Sequence, residues 1–223
     1  MLNEYDIGEI VRQVVAKLNI RESGVGMGIF EDMNEAIAAA KKAQAVLRVM
    51  SMDQREKIIS RIRQKILENA ETLARMAVEE TGMGNVGHKI LKNRLVAEKT
   101  PGTEDITTVA WSGDRGLTLI EMGPFGVIGA ITPCTNPSET VLCNSIGMIA
   151  AGNGVVFNPH PNAVATSNYA VDLVNRASRA AGGPDVLVAS MAKPTMETSS
   201  IMQKHPLIRL LVCTGGPGVV RAV

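Results

Sequence analysis

The stretch Gly126-Val127-Ile128-Gly129-Ala130-Ile131-Thr132-Pro133-Cys134-Thr135-Asn136-Pro137 decides the fold. Val127–Thr132 is a short apolar run that reads as a strand, Pro133 and Pro137 bracket a turn, and helical spacing follows over Glu139–Ala151. The same unit recurs downstream. Gly154–Phe157 precedes a helical stretch over Ala163–Ala181, and Val186–Ala189 precedes one over Thr195–Lys204. Ile208–Cys213 precedes Thr214-Gly215-Gly216-Pro217, which opens another helix. Strand–helix alternation at this spacing predicts an α/β fold with a doubly wound parallel sheet, which binds ligands beyond the C-terminal ends of its strands.

Upstream of this unit the pattern differs. Ile106–Trp111 and Leu117–Glu121 flank Ser112-Gly113-Asp114-Arg115-Gly116 and read as a β-hairpin within residues 105–125. Residues 32–104 read as helices. Asp32 with Glu35 caps the first, Ser51 with Gln54 caps the second, and a third through Leu73, Ala77 and Val78 stops at Gly82. A fourth spans about Val86–Lys99 and ends before Pro101. Residues 21–31, with glycines at 24, 26 and 28, read as a linker. Before it, Ile7, Ile10, Val11, Val14, Val15 and Leu18 form one apolar stripe at helical spacing within residues 1–20. A helix of about three turns is marginal in water alone, so it must dock on something.

Composition narrows the function. The chain has 223 residues, 45% of them hydrophobic and 3% aromatic, so its core is built from aliphatic side chains. A formal net charge of +1 and no basic stripe argue against nucleic-acid binding. No apolar run reaches the roughly 18–20 residues that cross a membrane. Glu4, Asp6 and Glu9 stand where a secretory signal is basic, which predicts a cytoplasmic protein. Cys134, Cys143 and Cys213 make no CxxC pair and no metal-ligand spacing, so no metal site is expected. Cys143 in an apolar helix and Cys213 in an apolar strand read as inert core thiols. Cys134, in a loop near a helix start, has no histidine close in sequence to serve as its base.

Three strand-to-helix turns can carry chemistry, and each also has a plain structural reading. In Ile131-Thr132-Pro133-Cys134-Thr135-Asn136-Pro137, Thr135 or Asn136 either caps the following helix or offers a hydrogen bond to a ligand. In Phe157-Asn158-Pro159-His160-Pro161-Asn162, two prolines fix the backbone of His160, as a surface turn or as a ligand contact. In Thr214-Gly215-Gly216-Pro217-Gly218, glycines after a strand give either a tight turn or a close approach to phosphate. It is neither GxGxxG nor a P-loop.

Together these segments resemble the aldehyde dehydrogenase superfamily. Ala130–Pro137, Ile149-Ala150-Ala151-Gly152-Asn153, Val155–Pro161 and Val212–Gly216 carry the likeness. The Thr-Asn-Pro and Pro-His-Pro signatures, with Glu79–Gly84 and Leu117–Glu121, are similar to its CoA-acylating branch, and in particular to the enzymes of bacterial microcompartments. The resemblance covers nearly all of residues 30–223 and implies oxidation of a short-chain aldehyde with NAD and coenzyme A to an acyl-CoA. It implies that Ile131, Thr132 and Pro133 form the nicotinamide-side turn and that Pro159, His160 and Pro161 hold the adenosine. Thr214, Gly215, Gly216, Pro217 and Val219 would form the pyrophosphate and adenine turn. Thr135 and Asn136 are both candidates for oxyanion donor.

Asn158 stands where hydrolytic members carry a lysine, which suits a site that also admits CoA. The resemblance further implies a homo-oligomer with an oligomerisation-type hairpin, location inside a microcompartment, and a shell or cargo partner for residues 1–18. The chain is expected to stop before the domain that bears the nucleophilic cysteine. It would then be the cofactor-binding part of a longer enzyme, inactive alone. The alternatives are a hydrolytic aldehyde dehydrogenase, or a cofactor-binding or cargo-targeting fragment without catalysis.

Overall fold

The computed structural model describes residues 26–223. The expected amphipathic helix over 1–18 and most of the expected linker lie outside the described residues.

Five parallel strands form the main sheet: β1 (Ile29–Phe30), β4 (Val127–Thr132), β5 (Gly154–Pro159), β6 (Val188–Met191) and β7 (Ile208–Cys213), in the order β1-β6-β5-β4-β7. The chain winds outward from β4 through β5 to β6, then returns to lay β7 on the other side of β4. That reversal is the topological switch point of a doubly wound sheet, where ligands bind in such folds.

The period-two alternation of strand side chains explains the two-sided core. Val155, Phe157 and Val188 face one cluster with α2 (Met52–Thr81), α4 (Pro137–Ala150) and α5 (Val164–Ala180). Val156 and Ala189 face the other, with Met33, Ile37 and Ala40 of α1 (Met33–Arg48) and Met202 of α6 (Met196–Lys204). Phe157 is fully buried, and burying one such side chain is worth about 1.5–3 kcal/mol. Helix α3 (Val86–Lys99) packs on α2 and α4, and α7 (Pro217–Ala222) follows β7.

The caps read from sequence form. Asp32 Oδ1 accepts from Glu35 N at 2.9 Å, and Ser51 and Gln54 make a reciprocal capping box. Gly82 ends α2 with φ +65°, a left-handed conformation that suits glycine.

Several expectations are corrected. The two helices expected on either side of residue 70 are one 30-residue helix, α2. No glycine or proline interrupts it, Ala70 and Leu73 continue the buried stripe, and Asn69 Nδ2 bonds back to Lys65 O at 2.9 Å. The strand expected at Val186–Ala189 runs instead over Val188–Met191. Polar Ser190 is admitted because its hydroxyl donates to Asn168 Oδ1 at 2.6 Å.

The end of the expected linker is part of the sheet. Ile29 and Phe30 pair with Ser190 and Met191. Met27 N donates to Asp172 Oδ1 at 2.6 Å, and Met27 O accepts from Asn175 Nδ2 at 2.9 Å. Gly28 turns there with φ +88°, and a Cβ would collide with Asn175 Nδ2 and with Val188 O at 2.6 Å.

The expected hairpin is β2 (Val109–Gly113) and β3 (Gly116–Ile120), closed by a two-residue turn at Asp114-Arg115. All of its strand residues are exposed, Trp111, Leu117 and Leu119 among them.

Candidate functional site

At the C-terminal ends of β4, β5 and β7 the three turns singled out in the sequence meet around one cleft of ≈ 670 Å³. Ile131, Thr132, Pro133, Thr135 and Asn136 line it from the β4 side, and Pro159, His160 and Pro161 from the β5 side. Thr214, Gly215, Gly216 and Val219 line it from the β7 side. Pro217 is not on the lining; it sits at the start of α7 and sets its first turn. Ladder-like bonds hold the turns in place: His160 N donates to Thr132 O at 3.1 Å, and Thr214 N donates to Ile131 O at 3.0 Å.

The helix starts around this end differ in what their N–H groups meet. On α5, Ala165 N and Thr166 N donate to the two carboxylate oxygens of Glu80 at 2.7 and 2.8 Å, so that terminus is already occupied by an anion. On α6, Thr195 and Thr198 cap each other. α4 and α7 have no side-chain cap bond, and both begin on the cleft. Asn136 therefore occupies the N-cap position of α4 without capping it through its side chain.

Helix α3 supplies the reason. Lys92 Nζ donates to Asn136 Oδ1 at 2.9 Å. One turn earlier Lys89, only 3% exposed, donates to Thr135 O at 2.9 Å and pairs with Glu139 at 3.4 Å, itself nearly sealed. Ser138 Oγ lies 3.1 Å from Asn93 Oδ1 and 3.2 Å from Glu139 Oε2, completing a buried polar cluster under the turn. With its oxygen held by Lys92, Asn136 has no partner for its Nδ2 donors among the described residues.

The site shows two features of a place built for a ligand. Thr132 Oγ1 is sealed from solvent and has no partner among the described residues, a buried hydroxyl at a strand end that a bound group could satisfy. Above Gly216 nothing lies within 4 Å of where a Cβ would stand, so the space over that backbone is open. The residues present thus fit a nucleotide cofactor in this cleft.

Some lining residues had been missed. Pro194, Thr195 and Met196 at the start of α6, with Ser199 and Gln203 further along it, form the wall beyond β5. A Thr-x-x-Thr cap right after a strand was the available signal. Asn158 also lines the cleft, its Oδ1 accepting from Thr198 Oγ1 at 2.8 Å. Of the cysteines, Cys134 lines the cleft and Cys213 is partly buried, burial pushing its thiol up. Cys143 is exposed rather than in the core, because it lies on the outward side of α4 while Val141, Leu142, Ser145 and Ile146 turn inward. Among the described residues no cluster of side chains could hold a metal ion, and no helix is long and apolar enough to cross a membrane.

A doubly wound sheet with this strand-end cleft defines a nucleotide-binding α/β class, and the sequence matches the aldehyde dehydrogenase family over residues 25–223. The chain belongs to that family. It is 44% identical over 225 residues to an acetylating acetaldehyde dehydrogenase, EutE, of Salmonella typhimurium, covering 99% of this chain and 48% of that protein. It superposes with a TM-score of 0.87 and 72% identity on a propionaldehyde dehydrogenase from the Clostridium phytofermentans fucose utilisation bacterial microcompartment, over 88% of this chain and 45% of that one. The corresponding values for a Rhodopseudomonas palustris propionaldehyde dehydrogenase with bound propionyl-CoA are 0.86 and 53%, over 91% and 45%. The chain thus spans about half the length of the curated relatives it matches.

Proposed function

We propose that these residues form the cofactor-binding part of a CoA-acylating aldehyde dehydrogenase, which converts a short-chain aldehyde, NAD+ and CoA into acyl-CoA and NADH. The observation that carries this reading is the single cleft at the switch point, where the β4, β5 and β7 turns converge. The relatives named as acetylating or holding propionyl-CoA support it.

Within the cleft, Ile131, Thr132 and Pro133 face the nicotinamide end, and the Thr132 hydroxyl gains a partner there. Pro159, His160 and Pro161 flank the adenosine, with the α6 start opposite. Thr214, Gly215, Gly216 and Val219 let the pyrophosphate approach the backbone. NAD+ bound in this way supplies the hydride acceptor. Asn136 is the oxyanion donor, because Lys92 holds its oxygen and leaves Nδ2 as the donating end. Thr135 contributes its carbonyl to Lys89 and so fixes the loop.

Cys134 lines the cleft but makes no hydrogen bond to a base among the described residues, so it is not assigned the role of nucleophile. The exposed apolar hairpin serves association with further copies. Residues 1–18 serve as an address segment inside a microcompartment; fused to an unrelated soluble protein, residues 1–20 should recruit it to shells, and a diffuse fusion would contradict that role.

NADH fluorescence separates the acylating reading from its rivals. CoA should displace NADH from this chain competitively, with no NADH formed from aldehyde by the chain alone. NADH binding that CoA leaves untouched would favour a hydrolytic enzyme. Turnover lost in Cys134→Ser would place the nucleophile here.

A further inference from the structure

Of the three cysteines, Cys134 alone stands on the cleft. It is half-buried, and its thiol has no hydrogen-bond partner among the described residues. The loop that carries it is pinned on both sides. Thr132 O accepts from His160 N at 3.1 Å, and Thr135 O accepts from Lys89 Nζ at 2.9 Å. The sulfur is therefore presented from a fixed backbone. Thr132, two residues earlier, lines the same cleft; it is 1% exposed, and its Oγ1 is sealed without a partner among the described residues. A buried hydroxyl left unpaired at this turn points to a bound group there, and a group that satisfies it passes close to Cys134.

The other two thiols differ. Cys143 is exposed on the outward side of α4, off the lining. Cys213 is also off the lining, and burial pushes its thiol up, which keeps the nucleophilic thiolate scarce. CoA carries its thiol at the end of the molecule opposite its adenosine. With the adenosine at His160 and the phosphates over Gly215 and Gly216, that sulfur end extends toward the β4 turn, where Cys134 stands. No aspartate or glutamate lines the cleft, so the phosphates of CoA meet no like charge on its walls.

We infer that Cys134 is a modification site for the disulfide form of CoA. The Cys134 thiolate attacks one sulfur of CoA–S–S–CoA. That S–S bond breaks, a Cys134–S–S–CoA bond forms, and one CoA leaves as the thiolate, which takes up the proton that the Cys134 thiol released to solvent. Cys134 is oxidised and one CoA is reduced, with no further reagent. The mixed disulfide fills the cleft and shuts out NADH until a thiol reductant releases the CoA. The proposal rests on the CoA and NAD reading of this cleft and adds a redox-dependent block to it.

Exchange kinetics of the reduced 223-residue chain test it, with CoA disulfide and glutathione disulfide as probes and peptide mapping by mass spectrometry as the readout. Glutathione disulfide is anionic and has the same reactive bond, but it lacks adenosine. Binding before reaction predicts that CoA disulfide modifies Cys134 roughly tenfold or more faster than it modifies Cys143, and faster by a similar factor than glutathione disulfide modifies Cys134. NADH should slow the reaction at Cys134 and leave Cys143 unchanged. NADH binding, followed by fluorescence, should fall in proportion to Cys134 modification and return with dithiothreitol. Equal rates for the two disulfides at Cys134, or a reaction at Cys143 as fast as at Cys134, would overturn the inference; if the unmodified chain still binds NADH, the cofactor reading stands. If the unmodified chain binds no NADH and Cys134 shows no preference between the disulfides, both fail together.

Discussion

Lys89 carries its charge into an almost sealed position because two acceptors meet it there, Thr135 O and Glu139 Oε1. Removing one member of such a pair leaves the other charge buried and uncompensated. Lys89→Met should therefore destabilise the protein by about 3–5 kcal/mol, and Lys89→Met with Glu139→Leu by much less. Urea unfolding of the three proteins checks this; a single variant within about 1 kcal/mol of wild type would contradict the role given to the pair.

Residues of this kind were not legible beforehand. Lys89 and Lys92 are separated from Thr135 and Asn136 by more than 40 positions, and lysines spaced three apart on a helix look like a solvated face. His160 and Gly216 were legible, because proline and glycine punctuate a strand end in ways that sequence displays directly. Cys143 was misread for the opposite reason: an apolar helix has an outward side, and its neighbours' character does not say which residue occupies it.

At the scale of elements, the hairpin is the feature that stands apart. Among the described residues its two strands pair only with each other, and both faces present apolar groups to solvent: Val109, Trp111 and Ile120 on one, Leu117 and Leu119 on the other. A two-stranded ribbon of this length is marginal alone, and an exposed apolar ribbon is a surface for association. Replacing Leu117 and Leu119 together by Glu should shift the protein toward monomer in sedimentation velocity while the far-ultraviolet circular dichroism of the main sheet is kept. An unchanged sedimentation coefficient for an oligomeric wild type would remove the hairpin from the interface.

The element types themselves follow from period and punctuation. Capping residues at Asp32 and Ser51 and the stop at Gly82 mark helix ends that do form. What periodicity could not give was continuity: nothing local says that the stripes before and after Ala70 belong to one helix. Nor does a two-residue strand such as Ile29–Phe30 carry a pattern at all, since its place is set by Ser190 and Met191 far along the chain.

At the scale of the molecule, the order β1-β6-β5-β4-β7 is what turns three separate turns into one site. Placing β5 and β7 on either side of β4 brings His160 and Gly216 to the same cleft. Strand–helix alternation implied a parallel sheet, but it could not choose the strand order; the likeness to aldehyde dehydrogenases supplied the expectation that these turns converge.

The central claim is that this cleft holds an adenine dinucleotide with its pyrophosphate over the β7 turn. It is tested most directly by NADH fluorescence titration of the wild-type chain and of Gly216→Leu. Nothing lies within 4 Å of the position of a Cβ at Gly216, whose φ of −68° suits any residue, so the variant should melt as wild type does. The account predicts saturable NADH binding by the wild type and an affinity lowered by roughly tenfold or more in the variant, the worth of about 1.4 kcal/mol of lost approach to the backbone. Equal NADH affinity in the two proteins, or no binding by the wild type, would contradict it.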